Sequence, residues 1–107
     1  MGKTISSKDF ALVPENEGYW LVKKDDYRKA IFINYRYLLD LYRSVLRVVK
    51  GEDISPIGQF EIASNGKVCR LVCTEGSDEL RFDNKQIEDL LDCVAQAVEQ
   101  CKEAADR

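Results

Sequence analysis

Residues 59–73 read Gln59-Phe60-Glu61-Ile62-Ala63-Ser64-Asn65-Gly66-Lys67-Val68-Cys69-Arg70-Leu71-Val72-Cys73. Apolar and polar residues alternate on both sides of Asn65-Gly66. That pattern predicts two strands joined by a tight turn, because Asn and Gly both accept the positive φ such a turn needs. A third short strand is expected at Glu79-Leu80-Arg81-Phe82. Asp83 and Asn84 then offer helix caps, with Gln86 three residues after Asp83 as in a capping box. Ile87, Leu90, Leu91, Val94, Ala97, Val98 and Cys101 follow at helical spacing on one face.

The preceding residues repeat this order. Phe10-Ala11-Leu12-Val13, Tyr19-Trp20-Leu21-Val22-Lys23 and Lys29-Ala30-Ile31-Phe32-Ile33 are expected strands. Turns at 14–18 and at Asp25-Asp26 separate them, and Asn34 can cap a helix from about Tyr35 to Lys50. The two halves superpose by number. An offset of 50 takes Phe10, Leu12, Leu21 and Val22 onto Phe60, Ile62, Leu71 and Val72. An offset of 49 takes Ile31 and Ile33 onto Leu80 and Phe82. The same offset takes Leu38, Leu41, Tyr42, Val45, Val48 and Val49 onto Ile87, Leu90, Leu91, Val94, Ala97 and Val98.

A unit of this size cannot bury enough apolar surface alone, so the two must share a core. The expected fold class is α+β. Two strand-strand-strand-helix repeats form one pseudo-two-fold domain with antiparallel sheets and two helices. The domain spans 1–107, with repeat one at about 5–51, a linker at 52–58 and repeat two at about 59–104. An extra strand is expected near Thr4-Ile5-Ser6-Ser7.

Composition removes several functions. The 107 residues contain no histidine, which excludes histidine-based acid–base chemistry, Ser-His-Asp or Cys-His catalysis and histidine metal sites. There is no Gly-rich phosphate loop, and the adjacent carboxylates Asp25 and Asp26 sit at an expected loop tip. No enzyme activity is therefore expected, and no cofactor. Cys69, Cys73, Cys93 and Cys101 form no CxxC pair. Cys69 and Cys73 would share a strand face ~13 Å apart, too far to bridge. Reduced core thiols and no metal site are the expectation, which points to the cytoplasm. No run approaches the ~18–20 apolar residues of a membrane helix. Met1-Gly2-Lys3-Thr4 lacks the apolar core of a secretory signal.

The net charge of −3 conceals an asymmetry. Residues 1–50 hold ten Lys/Arg against six Asp/Glu, a balance of +4; residues 51–107 hold six against thirteen, a balance of −7. Arg36, Asp40, Arg43, Arg47 and Lys50 line one face of the first helix. Asp40 is placed to pair with Arg36 and Arg43, leaving a basic ridge. The second helix carries an acidic ridge of Glu88, Asp89, Asp92, Glu99, Glu103 and Asp106, with Lys85 and Gln96 among them. Arg36, Arg43, Arg47 and Lys50 are candidate partner-interface residues, within the chain or between copies.

A second cluster interleaves aromatic and basic residues: Tyr19, Trp20, Lys23, Lys24, Tyr27, Arg28 and Lys29. Rings that stack on bases and cations that neutralise phosphates are what single-stranded nucleic acid requires. Strict alternation also requires one of Tyr19 and Trp20 to face the core.

Tandem units of this kind resemble a superfamily of single-stranded nucleic acid binders that includes the positive-cofactor-four coactivators, Pur-alpha and the Whirly proteins. The resemblance is carried by Leu80-Arg81-Phe82-Asp83-Asn84-Lys85-Gln86-Ile87-Glu88-Asp89-Leu90-Leu91, a last strand, polar cap and amphipathic helix. Ile31-Phe32-Ile33-Asn34 leading to Leu38 is its looser counterpart. Members usually have four strands per unit and a more basic sheet; here three are evident and the second unit is acidic. The resemblance implies a non-catalytic module for single-stranded DNA or RNA, with transcription regulation as its setting. It implies that the basic and aromatic residues of the first unit form the binding surface. The competing expectation is a protein-binding or homo-oligomerising adaptor with no nucleic acid partner.

Overall fold

The computed structural model describes residues 3–52, 60–64, 66–73 and 79–105; side chains at 26–29, 64 and 102–105 lie outside that description. The strands are β1 (Ile5–Ser6), β2 (Phe10–Pro14), β3 (Gly18–Lys23), β4 (Asp26–Asn34), β5 (Phe60–Ser64), β6 (Val68–Cys73) and β7 (Glu79–Asp83). The helices are α1 (Leu38–Val49) and α2 (Ile87–Ala105). Sheet one has the order β1-β2-β3-β4 and sheet two the order β5-β6-β7, both antiparallel. The fold is thus α+β, and β1 supplies the extra strand. Most of the linker expected at 52–58, and Asn65 of the hairpin turn, lie outside the described residues. Gly66 holds φ +94°, a conformation glycine adopts without a Cβ clash.

Each helix begins one turn later than spacing alone suggests. Tyr35–Tyr37 and Asn84–Gln86 are 3-10 turns that lead into the α-helices. The capping residues Asn34 and Asp83 have nearly identical backbones, φ −66°, ψ 144° and φ −69°, ψ 145°. Asn34 Oδ1 accepts from the Arg36 N–H at 3.0 Å. Asp83 forms the anticipated capping box, its own N–H donating to Gln86 Oε1 at 2.9 Å. The next residue in each unit donates its N–H back to the turn before the unit's second strand. Tyr35 reaches the Glu17 carbonyl at 3.0 Å and Asn84 the Lys67 carbonyl at 2.9 Å. Gly51, at φ +72°, follows α1 as a left-handed stop.

The apolar stripe of a helix records that it is buried but not against what. Here each helix crosses to the other unit: α1 packs on β5 and α2 on β1 and β2. The helices also pack against each other, and the sheets approach where β4 meets β7. One core results. Phe10, Leu12, Tyr19, Leu21, Ile31 and Ile33 from sheet one join Phe60, Ile62, Leu71, Leu80 and Phe82 from sheet two. The rings of Phe10 and Phe82 meet edge to face at 5.4 Å, tying the units directly. Cys93, outside the expected stripe, is fully buried; burial pushes its thiol up to about 11.

Candidate nucleic-acid interface

Alternation along β3 divides the predicted cluster. Tyr19 and Leu21 point into the core, while Trp20 stands on the opposite face. Tyr19 is 1% exposed and packs edge to face on Tyr35 at 5.3 Å. Burial, with smaller contributions from Cys101 and Tyr35, pushes its hydroxyl up to about 12. Its inclusion among base-stacking residues is corrected: the ring is a core ring.

Trp20 is 37% exposed. Cross-strand register places it opposite Phe32 of β4 and Val13 of β2. The Trp20 and Phe32 ring centroids lie 5.1 Å apart, with their planes inclined at 63°. Ala11 and Val22, both buried, and half-buried Ala30 continue this face along the register, so its exposed part is the end that carries Trp20 and Val13. Sheet one therefore turns an apolar, aromatic face away from the helices. Phe32 was not among the predicted residues. Strand alternation carries the signal for it: with Ile31 and Ile33 in the core, Phe32 faces outward.

The basic residues divide as well. Lys23 forms an ion pair with Asp25 at 3.6 Å. Lys24 donates from Nζ to the Ser7 carbonyl, and its N–H donates to the Asp9 carbonyl at 2.9 Å. It is a structural cation fastening the β1–β2 loop rather than an open phosphate ligand. Tyr27, Arg28 and Lys29 lie in β4, and their side chains fall outside the described residues.

The role of Asp89 also differs from expectation. It was counted in the acidic ridge, yet it holds the β1–β2 loop. The Ser7 hydroxyl donates to it at 2.7 Å, the Asp9 N–H at 2.8 Å and the Lys8 N–H at 3.1 Å. Burial raises its pKa, but these hydrogen bonds and the charge of Lys24 outweigh burial and leave it below the ordinary carboxylate value. A helical wheel groups acidic residues by angle and cannot reveal a partner more than eighty positions away in sequence.

Sheet two presents different chemistry on its outer face. Arg70 and Arg81 are cross-strand partners there. Glu79 takes both, Arg70 at 2.9 Å and Arg81 at 3.3 Å. Arg36 in the 3-10 turn before α1, Arg43 and Arg47 on α1 and Lys50 just after it are all exposed, as the ridge requires. Among the described residues Asp40 forms no ion pair with Arg36 or Arg43; separately, its backbone carbonyl accepts from the Ser44 hydroxyl at 3.0 Å. Among the described residues no cluster of three metal-ligating side chains occurs, and no helix is long and apolar enough to cross a membrane. No family model, curated protein or solved structure matches the chain.

Proposed function

We propose that this chain is a non-catalytic module for single-stranded nucleic acid, with the outer face of sheet one as its binding surface. The observation that carries this reading is the in-register pair of exposed Trp20 and half-buried Phe32, beside exposed Val13 on an apolar sheet face. An open antiparallel sheet bearing two outward rings offers stacking positions for unpaired bases, and stacking tolerates any sequence because every base has a π-face. The resemblance to the superfamily of single-stranded binders supports the same face, and β1 brings the first unit to four strands.

Among the described residues the cations of the cluster lie off this face: Lys23 stands opposite buried Phe10 in register and pairs with Asp25, and Lys24 is taken up by the β1–β2 loop. Stacking therefore supplies more of the affinity than charge does, and the dependence on salt is shallow. Transcription regulation is the proposed setting.

Fluorescence anisotropy with labelled oligo-dT and oligo-U, at low and moderate salt, tests the proposal. Saturable binding that Trp20→Ala and Phe32→Ala both weaken is expected, with duplex DNA binding more weakly. No anisotropy change at low salt, or binding indifferent to both substitutions in folded protein, overturns it.

A further inference from the structure

The helix layer carries a separate surface. α1 and α2 lie against each other, and each keeps a charged side exposed. On α1 and its flanking residues that side holds Arg36, Arg43 and Lys50, with Leu39 42% exposed among them. On α2 it holds Glu88, Asp92 and Glu99. Among the described residues, Arg36, Arg43 and Lys50 form no ion pair with Glu88, Asp92 or Glu99. A positive stripe thus runs beside a negative one.

That juxtaposition restricts what can dock. A partner of one sign is drawn to one helix and repelled by its neighbour. Nucleic acid meets this obstacle at Glu88, Asp92 and Glu99. A surface bearing both stripes satisfies both at once, and a second copy bears both. Under a two-fold axis residue i meets j and j meets i, so adjacent stripes of opposite sign are self-complementary. We propose that the chain self-associates through its helix layer, the Arg43 ridge of each copy lying on the Asp92 ridge of the other. Leu39 would be covered at the contact, together with the half-buried Leu46 and Leu91. The outer face of sheet one stays free, so the inference is independent of the nucleic-acid reading.

Sedimentation equilibrium of the full chain at low and high salt tests it. Wild type is expected to reach a monomer–dimer equilibrium that salt weakens, as exposed charges are screened. Arg43→Glu and Asp92→Arg, both at exposed positions, should each raise the dissociation constant about tenfold or more. The double variant R43E/D92R reverses both stripes and should recover to within about threefold of wild type, as coupled sites do. A wild-type mass that stays monomeric at every concentration in low salt overturns the proposal. So do single variants that dimerise like wild type, or a double variant no tighter than either single.

Discussion

Trp20 and Phe32 stand in register across β3 and β4 with ring centroids 5.1 Å apart, on the face of sheet one turned away from the helices. The positions that match them in the second unit, by the same offsets of 50 and 49, are Arg70 and Arg81. These are also in register, and both are held by Glu79. The two sheets share a plan on their inner faces and diverge on their outer ones. Inner positions are constrained by the common core. Outer ones are free to specialise, and only sheet one has filled them with rings.

The shared core predicts cooperative unfolding. Phe82 of sheet two touches Phe10 of sheet one, and each helix packs on the other unit's sheet. Phe82→Ala should cost about 3–5 kcal/mol, as other large-to-small core changes do. Urea unfolding followed by Trp20 fluorescence, which reports on sheet one, should shift by the same amount as unfolding followed by far-ultraviolet circular dichroism. A Trp20 transition that keeps its wild-type midpoint would mean that the units fold separately.

Asp89 predicts an acid limb in stability. Its carboxylate has a lowered pKa in the folded chain. It therefore contributes stability above the ordinary carboxylate range, and that contribution is lost as pH falls through the lowered folded value. Asp89→Asn removes the charge accepting from Ser7, Lys8 and Asp9. It should cost about 1–2 kcal/mol at neutral pH, reduced by the site's partial exposure. The gap between wild type and variant should close on acidification. Urea titrations across the acid range measure it, and a constant gap would remove the charge from the explanation.

Gly18 predicts a steric penalty. A Cβ built there would lie 2.0 Å from the Ile33 carbonyl oxygen, where β3 begins opposite Asn34. Backbone cannot yield as a flexible side chain does. Gly18→Ala should destabilise by about 1–3 kcal/mol, the range for overpacked sites. Thermal unfolding of the variant checks this, and an unchanged midpoint would show that the strand entry relaxes freely.

The strands within each unit, the cap at Asn34 and the capping box at Asp83 were legible in the sequence because each rests on local chemistry. The crossing of α1 to β5 and of α2 to β2 was not, since amphipathicity carries no address. The candidate site was half legible. Trp20 was identified, but Tyr19 was grouped with it, although adjacent strand residues face opposite ways. Phe32 lies between Ile31 and Ile33 with no adjacent charge, so an aromatic–basic pattern does not mark it. Lys24 and Asp89 read as surface charges because the hydrogen bonds that occupy them join segments distant in sequence.

Trp20 is the chain's one tryptophan, so its own emission reports on the proposed site. The most direct measurement is a fluorescence titration of the folded protein with single-stranded oligonucleotide at low salt. Saturable quenching is predicted for wild type. Phe32→Ala should bind about 5–160-fold more weakly, the loss of one stacking contact at about 1–3 kcal/mol. Trp20 emission that stays unchanged at saturating oligonucleotide would contradict the account.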